Sequence, residues 1–140
     1  MAGIRTRARG YALQVLYGID LNEEETQNAL SGAKEHFDAK MPAEGEKFAA
    51  NLVALVQDNG DAIDTKLQSV SRNWRVERMS TVDRNIMRLA TAELLYDDDI
   101  PTKVVINEAI ELAKRYGTED SAAFVNGILD RVASDVRGSK

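Results

Sequence analysis

Apolar side chains recur along most of this chain at intervals of three and four residues, the spacing that gathers side chains on one face of an α-helix. Between residues 3 and 19 they stand at Ile4, Ala8, Tyr11, Ala12, Val15, Leu16 and Ile19. Residues 20–42 are acidic and polar and carry Gly32, so they read as a loop with one short helix around residues 26–40. Pro42 suits the first turn of a new helix, whose stripe of Phe48, Leu52, Leu55 and Val56 stops at the turn signal Asn59-Gly60. Ile63, Leu67 and Val70 continue as a further helix that ends before Trp74. Ser80 is a good N-cap for the set Val82, Ile86, Leu89, Ala90 and Leu94.

Asp97-Asp98-Asp99-Ile100-Pro101 breaks the pattern, because proline has no place in a helix interior. Thr102 can cap the next segment, where Val105, Ala109, Leu112, Ala113 and Tyr116 face one way and Gly117 holds the stop position. Asp120 or Ser121 caps a last helix bearing Phe124, Val125, Ile128, Leu129 and Val132. No run of alternating residues flanked by turn chemistry suggests a strand. The expectation is an all-α fold: a compact bundle of six or seven helices in two small helical subdomains, with Trp74, Leu89, Leu112 and Ile128 in the core. At 140 residues the chain suits a single domain, 1–140, with a real hydrophobic core.

Composition narrows the function. There is no cysteine, hence no disulfide, thiolate metal site or cysteine nucleophile. No run approaches the roughly 18 apolar residues of a membrane span, and Arg5, Arg7 and Arg9 interrupt any apolar signal segment. A cytoplasmic location and no membrane partner are expected. The net charge of −5 argues against nucleic acid until its distribution is read. Residues 1–19 carry three arginines and no acid, +3, which leaves −8 on the remainder. A local basic site on an acidic body is the result, and local potential decides where a polyanion docks.

Catalytic chemistry is hard to find. The single histidine, His36, lies in the least patterned stretch, and the runs Glu23-Glu24-Glu25 and Asp97-Asp98-Asp99 read as solvated loops. General acid–base work needs a positioned partner, and no phosphate loop, zinc-protease or nucleophile-elbow motif occurs. Neither an enzyme activity nor a cofactor is expected. The first helix is more informative. Arg7, Tyr11 and Gln14 are spaced i, i+4, i+7 on one stripe, while Arg5 and Arg9 form an i, i+4 pair on the other flank of the apolar face. Together these offer cations for phosphates, a ring to stack on a base and an amide to read a base edge. The alternative is that the arginines lie over a buried face and Tyr11 is core. Arg72, Arg75 and Arg78 are either a solvated face or a further RNA contact.

Three segments carry a resemblance. RTRARGYALQVLYGID, residues 5–20, is similar to the arginine-rich opening helix of the NusB family. VDRNIMRLATAELLY, residues 82–96, matches that family's middle helix, and residues 100–132, with INEAIELAK, a GxED turn and FVNGILD, closely resemble its C-terminal signature. Residues 20–70 match only in length and helical character. The resemblance implies an all-helical protein without enzymatic activity that pairs with NusE, a small-subunit ribosomal protein. The two would bind boxA-type single-stranded RNA within an antitermination complex that keeps RNA polymerase processive on ribosomal RNA operons. By position it assigns RNA binding to Arg5, Arg7 and Arg9, with Gln14 beside them, and to Lys103, Lys114, Tyr116, Asp120 and Phe124. Asp83 would face NusE.

The opening cluster departs from the family by one arginine fewer, and Thr6 separates Arg5 from Arg7. Several of these residues also have a purely structural reading. Phe124 and Tyr116 fit a core, Asp120 a helix cap, and Asn126-Gly127 close helix packing. The resemblance leaves monomer and homodimer both open. A helical scaffold for proteins alone is the rival function. A NusB-like domain also opens some RNA cytosine methyltransferases, but their catalytic cysteine is missing here.

Overall fold

A computed structural model describes residues 3–22 and 41–138. Among them it contains six α-helices: α1 (Ile4–Asn22), α2 (Ala43–Asp58), α3 (Gly60–Val70), α4 (Thr81–Tyr96), α5 (Thr102–Tyr116) and α6 (Ser121–Arg137). A single 3-10 turn, Val76–Arg78, precedes α4, and no strand occurs among the described residues. The short helix expected within residues 26–40, together with His36, lies outside them.

Helix ends follow their capping chemistry. Ser80 Oγ accepts the backbone N–H of Asp83 at 3.1 Å, as an N-cap should. Pro42 and Pro101 stand just outside their helices, one residue earlier than a first-turn proline and ahead of the cap expected at Thr102. Asp120 occupies the N-cap position of α6 without a side-chain cap bond. Ser121 Oγ instead accepts the N–H of Thr118 at 3.0 Å and folds the turn back on itself.

Gly117 ends α5 with φ −95°, an ordinary negative value. Glycine is required there by space. An added Cβ would stand 2.8 Å from the Ala113 carbonyl oxygen and 2.6 Å from Ser121 Cβ.

Helix α4 is the axis of the molecule. It touches α1, α2 and α3 on the N-terminal side and α5 and α6 on the C-terminal side. Buried side chains from all six helices form one cluster that includes Leu89, Leu112 and Ile128, so the two helical groups share a core. Trp74 does not join it. At 56% exposure the indole stands outside, because the turn after α3 carries it beyond the edge of the bundle.

Residues 8–13 of α1 are buried without interruption, since the helix lies against both α2 and α4 and its Gly10 passes Leu112 and Tyr116 of α5. This overturns the expected position of Arg9 on an outer flank. Its side chain is 4% exposed and makes a forked ion pair with Glu93 at 3.0 and 2.7 Å, with a third contact to Glu108 at 3.3 Å. Burial opposes the guanidinium charge, but the two carboxylates outweigh it and hold the pKa above the ordinary arginine value.

A second polar cluster joins α1, α3 and α4. The Asp20 carboxylate accepts from Arg84 at 2.9 and 2.8 Å, Asn85 at 3.0 Å and Arg88 at 3.2 Å. Arg88 also forks onto Asp64 at 2.8 Å.

Candidate nucleic-acid interface

Side chains of α5 reach α1 at two levels. Thr6 Oγ1 donates to Glu108 at 2.7 Å, and one turn later Gly10 lies beneath Tyr116, whose hydroxyl would be 3.3 Å from a Cβ at that position. This pairing sets the register of the surface. Arg7 and Gln14, seven residues apart on α1, are both half-buried. Arg5 is exposed, its guanidinium 5.0 Å above the centre of the Phe48 ring on α2. Arg9 lies under the same ring at 5.2 Å, where a phosphate has no access.

Tyr11 lies in the core at 4% exposure, so its ring has no free face for a base. Burial first, and then the nearby charge of Glu46, push its phenol above the ordinary tyrosine pKa. The structural alternative for Tyr11 and Arg9 therefore prevails, while Arg5, Arg7 and Gln14 remain available.

On α5, Lys103 and Lys114 are both exposed. Eleven residues of helix separate them by about 16 Å. Lys114 is shared with Glu111 at 3.5 Å, a weak exposed pair. Tyr116 is half-buried, and Arg115 lies 5.6 Å from its ring centre. Past the Gly117 turn, Asp120 is exposed and Phe124 half-buried. Phe124 meets Trp74 edge to face, with centroids 5.6 Å apart and planes at 75°. Arg5, Arg7 and Gln14 of α1, Lys103, Lys114 and Tyr116 of α5 and Phe124 of α6 are taken together as a strip, with Trp74 of the turn after α3 against Phe124. It offers cations at intervals and partly exposed rings, the pairing that single-stranded nucleic acid needs.

Asp83 lies apart from this strip, in the first turn of α4. Its Oδ1 is buried with no hydrogen-bond partner among the described residues. Sequence reasoning missed the partners of Arg9. A detectable signal was Glu93 amid the apolar run of α4, since a carboxylate buried in such surroundings requires a cation. Among the described residues no cluster of histidine, cysteine or acidic side chains could hold a metal ion, and no helix is long and apolar enough to cross a membrane.

Comparison with known proteins agrees with the segments quoted above. A transcription antitermination protein NusB of Anaeromyxobacter dehalogenans is 52% identical over 96% of this chain and 93% of its own length. That of Myxococcus xanthus is 47% identical over 94% and 95%. Among solved structures, NusB of T. maritima superposes with a TM-score of 0.86 at 38% identity, covering 96% of this chain and 94% of that one. A crystal structure of the antitermination factors NusB and NusE in complex with double-stranded RNA matches with a TM-score of 0.86 at 27% identity, over 96% and 99%. The family model described as NusB family matches residues 6–134. This all-helical chain belongs to the NusB family of transcription antitermination proteins.

Proposed function

We propose that the chain is a non-enzymatic antitermination factor that binds boxA-type single-stranded RNA together with NusE. In this reading it works in the cytoplasm as one domain over residues 1–140. There it supports processive transcription of ribosomal RNA operons within a complex with RNA polymerase. The observation that carries the reading is the likeness, over nearly the whole chain, to a NusB bound to NusE and RNA. The strip of Arg5, Arg7, Gln14, Lys103, Lys114, Tyr116 and Phe124 supplies the physical support, with Asp120 beside it. Arg9 acts from within by anchoring α1 to α4 and α5.

The RNA in the related complex is double-stranded. The half-exposed rings of this strip favour unstacked bases, which only a single strand or loop offers. For NusE, a basic ribosomal protein, Asp83 supplies a negative charge in the first turn of α4.

The test is a titration of a fluorescein-labelled boxA-type strand, single and duplexed, with and without NusE. The single strand is expected to bind more tightly, NusE to strengthen it, and affinity to fall with salt by a log–log slope of about −0.7 per phosphate contact. Absence of RNA binding at every salt concentration, with NusE bound normally, would leave a protein scaffold as the function. Sedimentation in parallel reports a homodimer, which would compete with RNA if it covered the strip.

A further inference from the structure

We infer that Trp74 and Phe124 form a base-stacking platform, and that the groove between the turn after α3 and helix α6 extends the RNA track beyond the α1–α5 strip. This rests on the RNA-binding reading above. Trp74, the only tryptophan in the chain, is 56% exposed yet firmly held. Its backbone N–H donates to the Ser71 carbonyl at 2.9 Å, and its own carbonyl accepts from Gln68 Nε2 at 3.1 Å. Ser71 is itself buried and bonded to the Leu67 carbonyl at 2.7 Å. The edge-on contact with Phe124 orients the indole further. A large ring held at the surface loses little freedom when a base stacks on it.

The groove's charge selects the partner. Lys66, Arg72, Arg131 and Asp135 line it. Lys66 and Asp135 pair with each other, which leaves Arg72 and Arg131 as uncompensated cations on a molecule whose net charge is −5. Arg131 touches only the Val70 carbonyl, at 3.2 Å. Two guanidinium groups without an acid partner among the described residues, beside an exposed indole, fit a phosphate–base–phosphate step.

A second observation is independent of charge. Gly127 lines the same groove, in the middle of α6. A Cβ there would meet nothing within 4 Å. Packing therefore gives no reason for glycine, which weakens a helix interior. Close approach of a ligand to the backbone gives one.

Tryptophan emission provides the readout. A 12-nucleotide single strand extending past the boxA-type segment is titrated while Trp74 fluorescence and the anisotropy of a label on the RNA are followed together. Quenching in parallel with the anisotropy is expected. Trp74→Leu should weaken binding about fivefold or more and Trp74→Phe much less, because only a π face stacks. Gly127→Gln should melt at higher temperature and bind RNA more weakly, a combination that a purely structural glycine does not give. If anisotropy reports tight binding while Trp74 emission is unchanged and Trp74→Leu binds normally, the platform is wrong and the RNA-binding reading stands. If emission responds to NusE alone, the groove is a protein contact and the inference is overturned. If no RNA binds to any form, both fail together.

Discussion

Arg9 and Arg7 are two residues apart, and the fold gives them opposite work. Arg9 is enclosed with Glu93 and Glu108, so Arg9→Ala would leave a carboxylate buried without its cation. Loss of one partner from a buried pair costs about 3–5 kcal/mol, and chemical denaturation should register a loss of that order. Replacing both members, Arg9→Met with Glu93→Leu, should recover much of it. Arg7 is half-buried and pairs with no acid among the described residues. Arg7→Ala should leave the unfolding free energy within about 0.5 kcal/mol of the native value. It should reduce RNA affinity and flatten the log–log salt slope by about 0.7. Equal stability loss in both variants would contradict the assignment.

At the level of helices, spacing made most of the architecture legible. The stripe through residues 105–116 is the face that α5 buries, that through 82–94 is one part of an α4 buried on nearly every side, and Ser80 caps as its side chain predicts. The failures have a common cause. A single-face wheel describes a helix with one neighbour, whereas α1 is enclosed over residues 8–13, so no flank remained for Arg9 or Tyr11. Trp74 was misplaced for the opposite reason: a large ring ordinarily belongs in the core, and the turn that lifts it out depends on Ser71 and Gln68 bonds that no periodicity encodes. Gly117 sits where expected, for steric rather than conformational reasons. Gly117→Ala should therefore destabilise by about 1–3 kcal/mol, because the Ala113 carbonyl is backbone and cannot yield. Thermal melting of that variant checks it.

Over the whole molecule, charge has two tasks. One is cohesion. Burial raises the Asp20 pKa, but hydrogen bonds from Arg84 and Asn85 and the charges of Arg84 and Arg88 outweigh it and hold the group below the ordinary carboxylate value. A carboxyl with a depressed folded pKa contributes stability that is complete above its unfolded pKa, about 4, and is lost as pH falls through the folded value. Unfolding free energy should decline on acidification below that point, and Asp20→Asn should flatten the decline while lowering stability at neutral pH. The other task is steering. Asp83→Lys should slow association with basic NusE and leave RNA binding by the isolated chain nearly unchanged. Its role at the α4 N-terminus is worth only about 0.3–1 kcal/mol. A variant that melts earlier yet binds NusE normally would confine Asp83 to that role.

Arg137, near the end of α6, donates to the carbonyls of Glu93, Leu94, Asp97 and Ile100 and to Thr102 Oγ1. Those of Glu93 and Asp97 also accept the backbone N–H groups of Asp97 and Ile100, whereas those of Leu94 and Ile100 take no other backbone bond among the described residues. During synthesis the N-terminal helices emerge first. The Leu94 and Ile100 carbonyls then wait until Arg137, made 43 and 37 positions after them, leaves the ribosome. Closure of the α4–α5 turn is thereby tied to synthesis of α6, and a nascent chain lacking that one guanidinium should remain open to proteolysis there.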